Sequence, residues 1–163
     1  MGMDVYGMNP TIRKQNESRL LKKVGKIGDD DWFERWSDLS KEDKDKWSDD
    51  NQQQQEDNPG IYFRNNVWWW RPLWNYVYSV CGDIIDEDRW DNGHANGGTE
   101  FTDKEAKKIA ARLFEEIRCN DTEAYQRLYE INNEDTDNMY PFHEDNVRDF
   151  AEFCKDSGGF QIC

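Results

Sequence analysis

The residues best suited to chemistry gather around one aromatic stretch. Arg64, Asn65 and Asn66 precede Trp68, Trp69 and Trp70; Arg71 follows, and Asn92 and His94 stand in a Gly-rich segment further on. Indole rings can wall a pocket or stack on a planar ligand, a guanidinium can fork onto a phosphate or carboxylate, and amides can orient either one. Together these residues are the expected ligand- or partner-binding set. A structural reading stands beside it. Large aromatics fill cores, and Arg and Asn next to a helix start satisfy free backbone groups.

His94 titrates near neutral pH, so with Asp91 or Asp86 as orienting carboxylate and Arg64 or Arg71 as anion stabiliser it would make a hydrolytic site. Carboxylates are so abundant here that some fall near any His, and no catalytic residue is assigned. His143 precedes a helix and is expected as a cap or first-turn residue. Cys81, Cys119, Cys154 and Cys163 are scattered, with no Cys-x-x-Cys or His-x-x-x-His pair to hold zinc. Asp29–Asp31 and Asp86–Asp88 lack the spacing of a calcium loop. Neither a metal nor a cofactor is expected, and Cys81 and Cys154 are read as small core residues.

The elements that must position these residues are short and helical by pattern. Asn65 or Asn66 caps a helix with Pro72 in its first turn, and Leu73, Val77, Val80, Cys81 and Ile84 mark its buried face up to a stop near Gly82. Residues 90–98 form a loop by composition. Thr102 and Glu105 form a capping box for a helix carrying Ala106, Ile109, Ala110, Leu113, Phe114 and Ile117. A further helix spans Thr122–Ile131, a polar run 132–138 follows, and a last helix with Val147, Phe150, Ala151 and Cys154 stops at Ser157-Gly158-Gly159. The two chain ends, Met3–Tyr6 and Phe160–Cys163, suit a small strand pair.

Charge divides the chain. Residues 1–28 hold six basic and two acidic side chains; residues 29–57 hold twelve acidic against four basic. Residues 12–57 are therefore read as a charged insertion with short helices at Trp32–Trp36 and Ser40–Trp47, returning through the Gln52–Gln55 run. The remainder, 1–11 with 58–163, is one compact, mainly α domain with an aromatic-rich core. Over its 163 residues the net charge is -14, which opposes direct binding to a phosphate backbone. Ile61–Val80 carries only Arg64 and Arg71 as charges, so an anionic ligand would be expected there. No apolar run is long enough for a membrane span or a signal core, and a soluble, cytoplasmic protein follows.

The opening MDVYGMNPT, the block YFRNNVWWWRPLW, the NGH loop and the ending FAEFCKDSGGFQIC resemble a family of small bacteriophage and bacterial proteins. The resemblance covers residues 3–11 and most of 60–163. It implies one compact domain in a phage or prophage setting and leaves the function open. Some members carry a Cys-rich insert before the segment matching Tyr140-Pro141-Phe142; 132–138 has no Cys, so no zinc role carries over. The expected function is a non-enzymatic phage accessory protein that engages a host protein through an aromatic and acidic surface. The alternative is a binder or sequestering protein for a small nucleotide-like anion, with stacked Trp, Arg64, Arg71, Asn66 and His94; a His94 hydrolase is the third.

Overall fold

A computed structural model of the chain describes residues 2–25, 27, 29–133 and 140–163. Among them the chain forms four strands and eight helices. Contacts divide it into two units, Met1–Thr11 with Pro59–Cys163, and Ile12–Asn58.

The first unit is a mixed α/β structure, which corrects the expectation of a mainly α domain. Strands β1 (Gly2–Gly7), β2 (Tyr62–Asn66), β3 (Thr99–Thr102) and β4 (Gly159–Ile162) make one antiparallel sheet in the order β2-β1-β4-β3. The chain ends do pair, with Val5 opposite Ile162, but they are the two central strands of a larger sheet. Val5 also faces Phe63 on β2, and Phe101 faces Phe160 across β3 and β4. Both outer strands escape a reading by pattern because each runs into a helix with no linker. Asn66 ends β2 and caps the next helix; Thr102 ends β3 and does the same.

On the sheet's covered face, alternate residues Met3, Val5, Phe101, Phe160 and Ile162 are buried. They pack with α4 (Val67–Cys81), α6 (Asp103–Arg118) and α8 (Glu144–Asp156) in one core. Two further helices are α5 (Glu87–Gly93) and α7 (Asp121–Asn133). On the other face Tyr62 Oη donates to Asp4, which pairs with Arg64 at 3.5 Å.

The capping box predicted at Thr102 and Glu105 is present, and the apolar stripe of α6 is buried as its spacing requires. Pro72 departs from expectation. It lies well inside α4, because the helix starts at Val67 and Asn66 caps it by accepting from the backbone N–H of Trp68 and Trp69. A proline there leaves the carbonyl of Trp68 without its helical donor. Residues 90–98 are not all loop either, since α5 runs to Gly93. The part of the polar run at 134–138 lies outside the described residues.

The second unit holds α1 (Arg19–Val24), α2 (Trp32–Ser37) and α3 (Lys41–Asp57), so the Gln run is helix and not a return loop. Ser40 caps α3 by accepting from Asp43 N–H. Val24, Leu39 and Trp47 form its buried hydrophobic cluster, with Leu20, Leu21, Trp32 and Trp36 packed around them. The indole N–H groups of Trp32, Trp36 and Trp47 are buried there without acceptors among the described residues.

Candidate functional site

The three consecutive tryptophans have different fates, because successive helical residues point about 100° apart. Trp70 is fully buried, stacks on Trp74 at 5.4 Å, and donates its Nε1–H to the Gly93 carbonyl at 2.9 Å. Trp74 Nε1 likewise donates to the carbonyl of Trp90 at 2.9 Å. These two bonds pin the C-terminal end of α5 against α4, and so place His94. Trp70 is therefore core.

Trp68 is 54% exposed and lies flat against Tyr140, with ring centroids 4.9 Å apart and planes at 28°. Arg71, one turn further along α4, donates from Nη1 to Tyr140 Oη at 3.1 Å. Its guanidinium also sits 5.8 Å from the Tyr140 ring centroid. The three side chains form a ledge in which each holds the next.

Trp69 points to a different place. With Asn65 it lines an open cleft of about 430 Å³, whose other walls are His143, Asp145, Asn146 and Asp149 from the start of α8. Asn65 Nδ2 donates to Asn146 Oδ1 at 2.9 Å, tying β2 to α8. His143 caps α8, its Nδ1 accepting the Asp145 N–H at 3.1 Å, as a cap reading requires. Burial, and then the charge of Asp145, raise the Asp149 carboxyl above its ordinary range.

The remaining expected site residues are dispersed. Arg64 lies over the sheet beside Asp4, Asn66 is used as a helix cap, and the Asn92 carbonyl accepts from Ala95 and Gly97 N–H to close the turn after α5. His94 packs edge-on against Trp90 at 5.1 Å and its Nε2 bonds the Asn75 amide oxygen at 3.1 Å. Asp86 is committed to Arg89, which it meets at 2.7 Å, and does not orient His94. Arg71 acts on His94 through its charge; Arg64 belongs to the sheet surface.

Comparison of the chain with protein-family models, curated proteins and solved structures returned no match. The motif segments instead find their place in the fold. MDVYG is β1, FRNNVWWWRPLW spans β2 and α4, and FAEFCKDSGGFQI runs from the end of α8 into β4. Among the described residues no group of three His, Cys, Asp or Glu side chains gathers to hold a metal ion, and no helix is long and apolar enough to cross a membrane. Cys81 and Cys154 are buried in the core, and burial pushes the Cys81 thiol up to about 12.

Reading by residue type missed Tyr140, Asn75, Asp145, Asn146 and Asp149. One signal was present. Asp145 and Asp149 are like charges four residues apart on one helix, an arrangement that weakens a helix by itself.

Burial first, and then the charge of Arg71, hold the His94 imidazolium pKa below its ordinary 6.5, against a smaller opposing pull from Asp91. The unfolded chain therefore binds this proton at higher pH than the folded chain. The stability contributed is complete above pH 6.5 and is lost as pH falls through the lower folded value. Urea unfolding of His94→Gln across that window is expected to show a shallower loss than the unmodified chain; an unchanged slope would refute the assignment.

Proposed function

We propose that this chain is a non-enzymatic interaction protein that docks a partner protein on the face formed by the start of α4 and residues 140–149. The observation that carries this reading is Trp68: a large, half-exposed indole stacked on Tyr140, which Arg71 in turn hydrogen-bonds. Core filling accounts for Trp70 and Trp74, which are fully buried, and leaves Trp68 unexplained. Trp, Tyr and Arg are the types that anchor protein interfaces, and a side chain already ordered before binding loses little entropy on docking.

The adjacent cleft adds Asp145 and Asp149, so the surface is aromatic and acidic and suits a basic partner. The resemblance to small phage and bacterial proteins makes that partner a host protein, met in the bacterial cytoplasm. A nucleotide-like anion is less well served, since Arg64 and Asn66 are committed away from Arg71 and His94. A hydrolase reading is weaker still, because His94 bonds an amide and not a carboxylate.

The test is capture from bacterial lysate by the unmodified chain and by Trp68→Ala and Arg71→Ala. Loss of an interface anchor of this kind costs about 2 kcal/mol, roughly 30-fold in affinity. A protein retained by the unmodified chain and lost by both variants, with unfolding midpoints unchanged, is the expected result. An identical set of captured proteins would overturn the reading.

A further inference from the structure

We propose that the cleft beside the ledge receives a guanidinium group, supplied by an arginine of the docked partner; this rests on the docking surface proposed above. Its walls select the charge. Asp145 and Asp149 both line it, His143 stands 3.4 Å from the Asp145 carboxylate, and among the described residues no Lys or Arg lines it. The nearest cation on the same helix, Arg148, is committed to Glu144 at 2.9 Å. Among the described residues Asp149 has no ion-pair partner, and it lines the cleft while still exposed to water, so an occupant can reach it. An anionic occupant would meet two carboxylates, and an apolar one would cover Asp149 without pairing it, which is costly.

The walls also select the shape. Trp69 supplies an aromatic wall, the preferred surface for a delocalised cation. The Asn65–Asn146 hydrogen bond holds both amides in place between that wall and α8. A guanidinium is planar and forks onto carboxylates while lying on a ring; an ammonium is a compact, strongly hydrated point charge that gains less from the same walls. Trp69 follows Trp68 directly in α4, so a segment anchored on the ledge has the cleft within reach of one side chain.

The experiment follows the Trp69 indole N–H by NMR while the full chain is titrated with N-acetyl-arginine amide, with the uncharged N-acetyl-citrulline amide, and with N-acetyl-lysine amide. A saturating shift with arginine, a weaker one with lysine and none with citrulline are expected. Asp149→Asn should weaken the arginine response about fivefold or more, the loss of one partly exposed charge-assisted hydrogen bond, and should weaken partner capture as well. Equal response to citrulline, or an arginine response indifferent to Asp149→Asn, overturns the proposal. So does arginine binding with partner capture unaffected by Asp149→Asn. If capture depends on Trp68 while arginine produces no shift, the ledge stands and the cleft assignment falls. If arginine shifts Trp69 but no captured protein depends on Trp68, the docking reading fails and the assignment to a partner fails with it.

Discussion

Trp74→Ala is expected to lower the free energy of unfolding by about 4 kcal/mol, near the upper range for truncating a buried aromatic. Trp74 is fully buried where four elements meet. It stacks on Trp70 within α4, meets Phe101 of β3 edge-on at 5.9 Å and Phe150 of α8 at 6.4 Å, and donates to Trp90 of α5 at 2.9 Å. The backbone of α5 closes tightly on it, since a Cβ at Gly93 would lie 2.6 Å from its Nε1. Alanine would remove the ring, leave a cavity that rigid neighbours cannot fill, and strip the Trp90 carbonyl of its donor. Trp74→Phe separates the contributions: it keeps an aromatic body and loses the hydrogen bond, so a smaller loss of about 1–2 kcal/mol is expected. Urea unfolding of the three proteins checks the order. Equal losses for Ala and Phe would mean that packing at this junction contributes little.

The second large effect is expected at Gly158. Its φ is +65°, and a Cβ built there would stand 2.0 Å from the carbonyl oxygen of Asn9. The close approach exists because the chain ends are laced together beside it, with Asn9 N–H bonded to the Ser157 carbonyl at 3.1 Å and Thr11 N–H to the Asp156 carbonyl at 2.7 Å. Gly158→Ala therefore adds a left-handed backbone penalty to a clash that only backbone movement can relieve. The two together should cost about 3 kcal/mol. Gly98→Ala is the control. Its φ is also positive, +75°, but the nearest atom is the flexible Gln161 Nε2 at 3.6 Å. Only the backbone penalty, about 1 kcal/mol, should remain. Thermal unfolding of both variants tests the difference; a Gly158→Ala protein as stable as Gly98→Ala would show that the junction yields easily.

That junction accounts for two of the sequence segments that stand out by motif. In YGMNPT and SGGF the small and turn-forming residues lie where β1, its following turn and β4 pass within backbone contact. Their first duty is to close the fold. The Trp-rich block is divided instead between fold and surface, with Trp70 inside and Trp68 and Trp69 at the ledge and the cleft.

What the sequence determined by itself is local. A cap at Asn65 or Asn66, the box at Thr102 and Glu105, a cap or first-turn place for His143 and the buried stripes of α6 and α8 depend on partners two to four residues away, so spacing reports them; the structure then decides for Asn66. The sheet is not local. The pairing of the two chain ends is legible as a strand pair, but Asn65 joins Met3 and Phe101 joins Phe160 across separations that no periodicity records, and β2 and β3 are too short and too tightly joined to their helices to show an alternation of their own. The site follows the same division. Residue type drew attention to Trp68, Trp69 and Arg71, but neither Tyr140 nor Asp149 can be linked to them until α4 and α8 are packed on one sheet. Only that packing decided which indole became core and which became surface, because burial belongs to the neighbours a helix face meets in space.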